Sequence, residues 1–223
     1  MTASPLVSQA DYQTRYDLSR TDPSTFWEAE VKRLLHWKSA HWKVAKNTHF
    51  SKTDVSIRWF EGGTLNICEN CVDRHLASKG DQPAIIWEPD SPSEPHRVLT
   101  YRDLYQQVII CANMLRALGV GAGDTVTIYM PMVPEAAIAM LACARIGAIH
   151  SVVFGGFSSH SLRDRIDNCN SRVVITSDSG FRGGKTIPLK EQVDAACAGS
   201  CVEKILVLKR TGMAVAWTEG RDI

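Results

Sequence analysis

From residue 84 onward, short apolar runs alternate with longer amphipathic or Ala-rich segments, a pattern that is typical of an α/β protein. Short apolar runs predict five strands, at 84–87, 125–130, 149–154, 172–177 and 204–208. Between them, four amphipathic or Ala-rich segments predict helices: one capped by Thr100 and ended by Gly119, one from Pro134 to Gly147, one capped by Ser158 or Ser159, and one over 189–198. Strands that alternate with helices form parallel sheets with right-handed crossovers. The pattern therefore predicts an open, doubly wound α/β sheet.

The chain before residue 84 lacks this alternation and is rich in tryptophan. Four of the six tryptophans lie before residue 66, and no regular strand pattern accompanies them. Asp22 and Pro23 predict the start of a helix, because proline suits the first helical turn. The residues expected to face inward are Phe26, Trp27, Val31, Leu34 and Leu35. We therefore predict an N-terminal helical or irregular layer over residues 1–83, followed by the first part of a large domain over 84–223.

Composition narrows the classes of partner. The 25 Lys and Arg residues nearly balance 24 Asp and Glu residues, so a formal net charge of +1 gives no global field that favours nucleic acid or an anionic membrane. Residues 1–6 lack the charged and apolar regions of a secretory signal, and the longest apolar run, 136–144, is too short to span a bilayer. We therefore expect a cytoplasmic protein that acts on small molecules and binds neither nucleic acid nor membrane.

The seven cysteines are irregularly spaced, which predicts reduced and mostly buried thiols instead of a disulfide framework. Cys68 and Cys71 form a CxxC motif, but no second ligand pair follows, and a zinc site needs about four ligands. Asn66 and Glu69 instead predict a capping box for a short helix. Its inner face is expected to contain Ile67, Cys71 and Leu76. We therefore predict no metal site, and we expect both thiols of the motif to pack within a helix.

Two glycine-containing segments follow predicted strands, at the end of the sheet where ligands bind in doubly wound folds. The first contains Gly155 and Gly156, which follow the strand 149–154. Residues without Cβ let a ligand approach the main chain next to a helix N-terminus. The alternative is a tight strand-to-helix turn without a ligand, and the local sequence leaves both interpretations open.

The second segment is the loop 178–186, in which Arg182 and Lys185 flank Gly183 and Gly184. It partly matches a Walker phosphate loop, but that motif needs a glycine at position 179, where this chain has serine, and a proline interrupts the helix that should follow. The two cations can instead clamp a single phosphate group through forked and point-charge contacts. The alternative is a solvated loop without a ligand.

Six longer runs, in order along the chain, resemble the opening part of the AMP-forming acetyl-coenzyme A synthetases of the adenylate-forming superfamily. They are WFEGGTLN at 59–66, NCVDRHL at 70–76, LTYRDL at 99–104, YMPMVPEA at 129–136, ACARIGAIHSVVFGGFS at 142–158 and VLKRTG at 207–212. The resemblance extends from about Tyr12 to Ile223. Six ordered runs of this length are specific for the family, although less specific for acetate over propionate.

The resemblance implies that the complete enzyme joins acetate to ATP with the help of Mg²⁺, forms acetyl-adenylate, and then transfers the acetyl group to coenzyme A (CoA). In the family, the loop matching residues 182–185 binds the 3′-phosphate ADP end of CoA, and glycines matching the pair after the strand 149–154 lie near its pantetheine arm. A CoA-binding role is thus implied for Arg182, Gly183, Gly184, Lys185, Gly155 and Gly156. Position 185 is often Arg in the family; Lys keeps the charge but loses the forked contact.

Several family segments are missing from this sequence. It contains no Ser/Thr/Gly-rich run like the loop that binds the ATP phosphates, nor the segments that supply the ribose-binding Asp, the acetate pocket and the adenylating Lys. We therefore expect about the first third of an acetate–CoA ligase, with an incomplete doubly wound sheet and neither a catalytic residue nor the ATP and Mg²⁺ sites. Such a fragment is expected to be inactive without its partner, the remainder of the enzyme.

Two alternatives stay open. The chain could be a free-standing α/β binding or interaction module with a CoA-facing loop, or it could belong to a propionate-preferring relative.

An incomplete sheet, in which part of the apolar surface is left uncovered, also predicts exposed apolar surface near the C-terminal strand. Such a surface predicts self-association of the chain.

Overall fold

A computed structural model of the chain describes residues 7–223, which fall into two compact units on either side of the bond between Asn66 and Ile67. This division lies earlier in the chain than the predicted boundary between residues 83 and 84. The latter stays a prediction about the domains of the longer protein.

The first unit combines two helices with an antiparallel hairpin. Helices α1 and α2 and strands β1 and β2 span Gln9–Thr21, Pro23–Leu34, Lys46–Phe50 and Val55–Trp59. The predicted start of α2 is confirmed, because the Asp22 side chain accepts a hydrogen bond from the Thr25 backbone N–H. The predicted inner face is partly wrong: Trp27 and Leu34 are exposed, whereas Glu30 is buried. The β1–β2 hairpin was not predicted from the sequence, since its strands are mainly exposed and lack an apolar run.

The second unit begins with short helical segments around the CxxC motif. Helix α3, a 3₁₀ turn and helix α4 span Ile67–Cys71, Asp73–His75 and Leu76–Lys79. Cys68 is fully buried and Cys71 is exposed, so the expectation that both thiols are packed is wrong. The buried positions are Cys68 and Val72, one helical turn apart, and not the predicted Ile67 and Cys71. Burial raises the pKa of the Cys68 thiol.

The first predicted strand exists but does not belong to the parallel sheet. Strand β3 (Pro83–Trp87) pairs antiparallel with β4 (Arg97–Thr100), a strand that sequence analysis did not predict. The two are joined by residues 88–96, which contain no helix. A parallel neighbour would need a crossover connection of a dozen or more residues, so this short loop gives a hairpin.

The other four predicted strands are β5, β6, β7 and β10, which span Thr125–Met130, Ile149–Phe154, Val173–Ser177 and Lys204–Leu208. They form one parallel sheet, in the order β10, β7, β5, β6. Two short strands between β7 and β10 in the chain, β8 and β9 (Gly180–Arg182 and Lys185–Ile187), form a separate hairpin. Helices α5, α6, α7 and α8 span Tyr101–Ala117, Pro134–Ile146, Ser159–Cys169 and Leu189–Cys197. The predicted α/β class with a parallel sheet is therefore confirmed.

Alternate residues of the central strand β5 point into two different cores. Val126 and Ile128 belong to a core that includes residues of α5 and α6, whereas Tyr129 belongs to a core with residues of α7 and α8. This alternation follows from the two-residue period of a strand. Helices therefore cover both faces of the sheet, as the doubly wound pattern requires.

Candidate functional site

The two predicted ligand-binding segments meet the carboxyl end of β5 from opposite sides. A Cβ added to Gly155, just after β6, would lie 3.0 Å from the Met130 carbonyl oxygen. A Cβ added to Gly180, just after β7, would lie 2.5 Å from the Cβ of Pro131. Both glycines thus allow close approach to the end of β5, and they bring the two segments to one edge of the sheet.

The segment with the two cations is a hairpin and not the loop that the sequence predicted. Strands β8 (Gly180–Arg182) and β9 (Lys185–Ile187) pair antiparallel, with Arg182 directly opposite Lys185. Gly183 and Gly184 form the turn with positive φ values of 57° and 72°. A two-residue type I′ turn requires positive φ at both positions, which glycine adopts without strain. The Gly-Gly pair itself was the sequence signal for this hairpin.

The structure brings Gly156 and Arg182 into contact. The Arg182 guanidinium carbon lies 4.7 Å from the centroid of the Phe154 ring, a cation–π arrangement. A Cβ added to Gly156 would lie 2.7 Å from Nη1 of Arg182 and 2.6 Å from Cε1 of Phe154. Gly156 therefore leaves the space in which the arginine packs on the ring.

Tyr129 anchors the glycine turn, a role that sequence analysis missed. This side chain is fully buried, and its hydroxyl donates to the Phe157 carbonyl oxygen at 2.7 Å and to that of Gly155 at 3.3 Å. Burial raises the pKa of this phenol, whose hydroxyl is a donor at neutral pH even without the shift. The only sequence signal was its position near the end of a buried strand.

Asp90 binds the turn of the β8–β9 hairpin, which we call the cation hairpin. This role of Asp90 was also not predicted from the sequence. Its two carboxylate oxygens accept hydrogen bonds from the backbone N–H groups of Gly183 at 2.8 Å and Gly184 at 2.9 Å. These bonds, first that from Gly184 and then that from Gly183, lower the pKa of Asp90. The turn amides therefore bind Asp90, and the groups left to meet a ligand phosphate are the side chains of Arg182 and Lys185.

A second carboxylate fixes the base of the same hairpin. Asp178 is buried and accepts backbone N–H bonds from Ser179, Arg210, Thr211 and Gly212. Burial alone would raise the pKa of Asp178, but these four donors together bring it below its usual value. The chain entering β8 is thereby tied to the segment that follows β10.

Neither a metal cluster nor a membrane-spanning helix occurs within residues 7–223. No group of three or more His, Cys, Asp or Glu side chains in this part of the chain could hold a metal ion. No helix there is both long and apolar enough to cross a bilayer.

Two family models together match nearly the whole chain. The model described as AMP-binding enzyme matches residues 72–222, and the model described as acetyl-coenzyme A synthetase N-terminus matches residues 12–71. Among solved structures, acetoacetyl-CoA synthetase from Streptomyces lividans superposes with a TM-score of 0.82 over 99% of this chain and 33% of that chain. At 24% sequence identity this likeness supports the fold alone.

Curated relatives are closer in sequence. Acetyl-coenzyme A synthetase from Novosphingobium aromaticivorans is 56% identical over 98% of this chain, and that from Stutzerimonas stutzeri is 55% identical over the same share. The synthetase from Methylocella silvestris is 53% identical over 99% of this chain. The matched region is 33% to 34% of the length of each relative. The chain therefore belongs to the family of AMP-binding enzymes, and it corresponds to the N-terminal third of the acetyl-coenzyme A synthetases.

Proposed function

We propose that the complete protein is an AMP-forming acetate–CoA ligase, which makes acetyl-CoA from acetate, ATP and CoA through acetyl-adenylate. In this proposal the present chain supplies part of the CoA site, and the ATP and Mg²⁺ sites lie in the remainder of the enzyme. We also propose that the enzyme works in the cytoplasm. The relatives' names and their 52–56% identity support the reaction.

One observation carries the proposed CoA site. Gly156 and Arg182, which the family resemblance assigns independently to the pantetheine arm and the phosphate end of CoA, contact each other at the carboxyl edge of the sheet. A single extended ligand can therefore pass from one to the other. Ligands of doubly wound sheets bind at this edge.

Arg182 and Lys185, which we call the phosphate clamp, suit a phosphate group. They lie opposite each other across a two-residue turn, so two positive charges flank one point on the surface. Arg offers a planar fork of N–H donors, and Lys offers a compact charge with three donors. The 3′-phosphate of CoA is an anion of matching size and charge.

The proposed reaction is tested by assaying the complete protein for acyl-CoA formation. With acetate, ATP and CoA, we expect acetyl-CoA, AMP and pyrophosphate in equal amounts. Formation of acetyl-CoA without AMP, or with ADP and phosphate in place of AMP and pyrophosphate, would contradict the assignment. A higher kcat/KM for propionate than for acetate would instead favour the propionate-preferring alternative.

Replacing Gly156 by Ala is expected to weaken CoA binding in the complete protein. The new methyl group would displace Arg182 from the Phe154 ring, and we expect the KM for CoA to rise about three- to tenfold. Gly121→Ala is the matched control, since a Cβ there would meet its nearest atom, Oδ2 of Asp124, at an ordinary 3.7 Å. An equal effect of both substitutions would argue against a specific role for Gly156.

The isolated chain is expected to self-associate through strand β6. Among residues 7–223 this strand pairs with β5 alone, and Ile149, Val152 and Phe154 are exposed along it. At the other edge, where the sequence predicted apolar exposure, residues 221–223 pair with the outer side of β10. An unpaired apolar edge strand is a template for association.

Sedimentation at micromolar concentration tests this expectation. Val152→Lys should shift the chain toward monomer, whereas Ile110→Lys, at an exposed apolar position on α5, should change little. A compact monomer before any substitution, with no binding of an apolar dye, would contradict the expectation and favour the free-standing module.

A further inference from the structure

The loop 88–96, which joins β3 to β4, contacts the cation hairpin at its turn. Asp90 lies 93 residues before Gly183 in the chain, yet its two carboxylate oxygens each accept a hydrogen bond from one backbone N–H of the turn, that of Gly183 or that of Gly184. Successive backbone N–H groups in a tight turn form a concavity that binds anions. The Asp90 carboxylate is therefore a built-in anion for the turn that separates Arg182 from Lys185.

The same loop contacts the hairpin a second time, through Arg210. Glu94 accepts a hydrogen bond from Nη2 of Arg210 at 2.6 Å. The guanidinium carbon of Arg210 lies 5.5 Å from the ring centroid of Phe181 and 5.2 Å from that of Trp87. Phe181 precedes Arg182 in β8, so the loop fixes the hairpin both at its turn and beside its first strand.

A hairpin of two three-residue strands is marginal without such support, because an isolated two-stranded ribbon is hardly stable in water. Two cations bind one phosphate well only if their backbones are already in place, since ordering them on binding costs affinity. We propose that Asp90 is a positioning residue for CoA: by binding the amides of Gly183 and Gly184, it holds Arg182 and Lys185 in the geometry that receives the 3′-phosphate. The inference rests on the phosphate clamp proposed above.

Asp90 also places a negative charge beside the proposed phosphate site, and that charge alone would repel the phosphate. If repulsion dominated, removing the carboxylate would tighten CoA binding. If positioning dominates, removing it weakens CoA binding. The sign of the change in the KM for CoA therefore shows whether repulsion or positioning dominates.

The test uses the complete enzyme, with CoA and 3′-dephospho-CoA as alternative substrates. Asp90→Ala is expected to raise the KM for CoA about three- to tenfold and to leave the KM for 3′-dephospho-CoA unchanged, because only CoA carries the phosphate that the clamp receives. Asp90→Asn, which keeps the side-chain shape, should show the same split between substrates. Glu88→Ala is the matched control: it removes one exposed carboxylate from the same loop and should alter neither KM.

A double-mutant cycle shows whether Asp90 acts through the clamp. In an Arg182→Ala background, Asp90→Ala should raise the KM for CoA by a smaller factor than it does in the unsubstituted enzyme, since one of the two groups it positions has been removed. A lower KM for CoA, an equal rise for both substrates, or a full additional rise in this background would overturn the inference. If Arg182→Ala itself fails to distinguish CoA from 3′-dephospho-CoA, the proposed clamp is wrong and the inference falls with it. If Arg182→Ala distinguishes them and Asp90→Ala does not, only the inference falls.

Discussion

The 223-residue chain alone is expected to form no acetyl-adenylate. Its sequence has no Ser/Thr/Gly-rich run that could hold the ATP phosphates, and it lacks the family segments that supply the ribose-binding Asp and the adenylating Lys. Positioning and electrostatic stabilisation provide nearly all catalysis of phosphoryl and adenylyl transfer. Their loss should lower the rate by many orders of magnitude.

Acetate-dependent exchange of pyrophosphate into ATP measures this step directly. The isolated chain, checked for folding by circular dichroism, should match a blank without protein, while the complete enzyme serves as the positive control. Exchange above the blank would mean that these residues hold ATP in a way that the family resemblance does not account for.

In the complete enzyme, Arg182→Ala is expected to raise the KM for CoA about ten- to hundredfold. A hydrogen bond to a charged group contributes about 1.5–3 kcal/mol, and each 1.4 kcal/mol corresponds to about a factor of ten. The substitution removes ground-state binding at a phosphate remote from the reacting carbonyl, so kcat should change much less than KM. Pyrophosphate exchange needs no CoA and should stay nearly constant.

Arg172→Ala is the matched control for this prediction. Arg172 is an exposed arginine in an ion pair with Glu203, and it precedes β7, at the opposite end of the strand from the hairpin. We expect its replacement to leave the KM for CoA within about a factor of two, because exposed ion pairs contribute little. Were Arg182→Ala to reduce pyrophosphate exchange as much as thioester formation, the assignment of Arg182 to CoA would be wrong.

Local signals were sufficient to predict the elements of the parallel sheet. The predicted cap of α5 at Thr100 is confirmed, and Asp103 completes a capping box there, with both reciprocal hydrogen bonds present. Pro134 begins α6, and Gly147 ends it with a left-handed φ of 78°. Each of these signals depends on residues within about one turn of one another, which is why a single sequence reveals them.

Contacts between distant segments could not be predicted in this way. The strand predicted at 84–87 was expected in the parallel sheet, but its partner is the unpredicted β4, because the loop between them is too short for a crossover. The β1–β2 hairpin consists of exposed strands whose composition gives no apolar signal.

In the candidate site, too, individual residues could be predicted from the sequence, whereas contacts between distant segments could not. The family resemblance named Gly156 and Arg182, but no local pattern indicates that they touch. Asp90 lies in a turn-rich loop whose sequence suggests only exposure, and Tyr129 is one aromatic residue in a buried strand. These two residues support the candidate site through contacts that exist only after the chain has folded.

The structure of the complete enzyme with CoA bound would test the proposed site most directly. We predict that the 3′-phosphate lies within hydrogen-bonding distance of the Arg182 guanidinium and the Lys185 ammonium group, with the pantetheine arm passing over Gly155 and Gly156. A CoA molecule whose phosphate binds elsewhere, with the hairpin 180–187 free of ligand, would contradict the account.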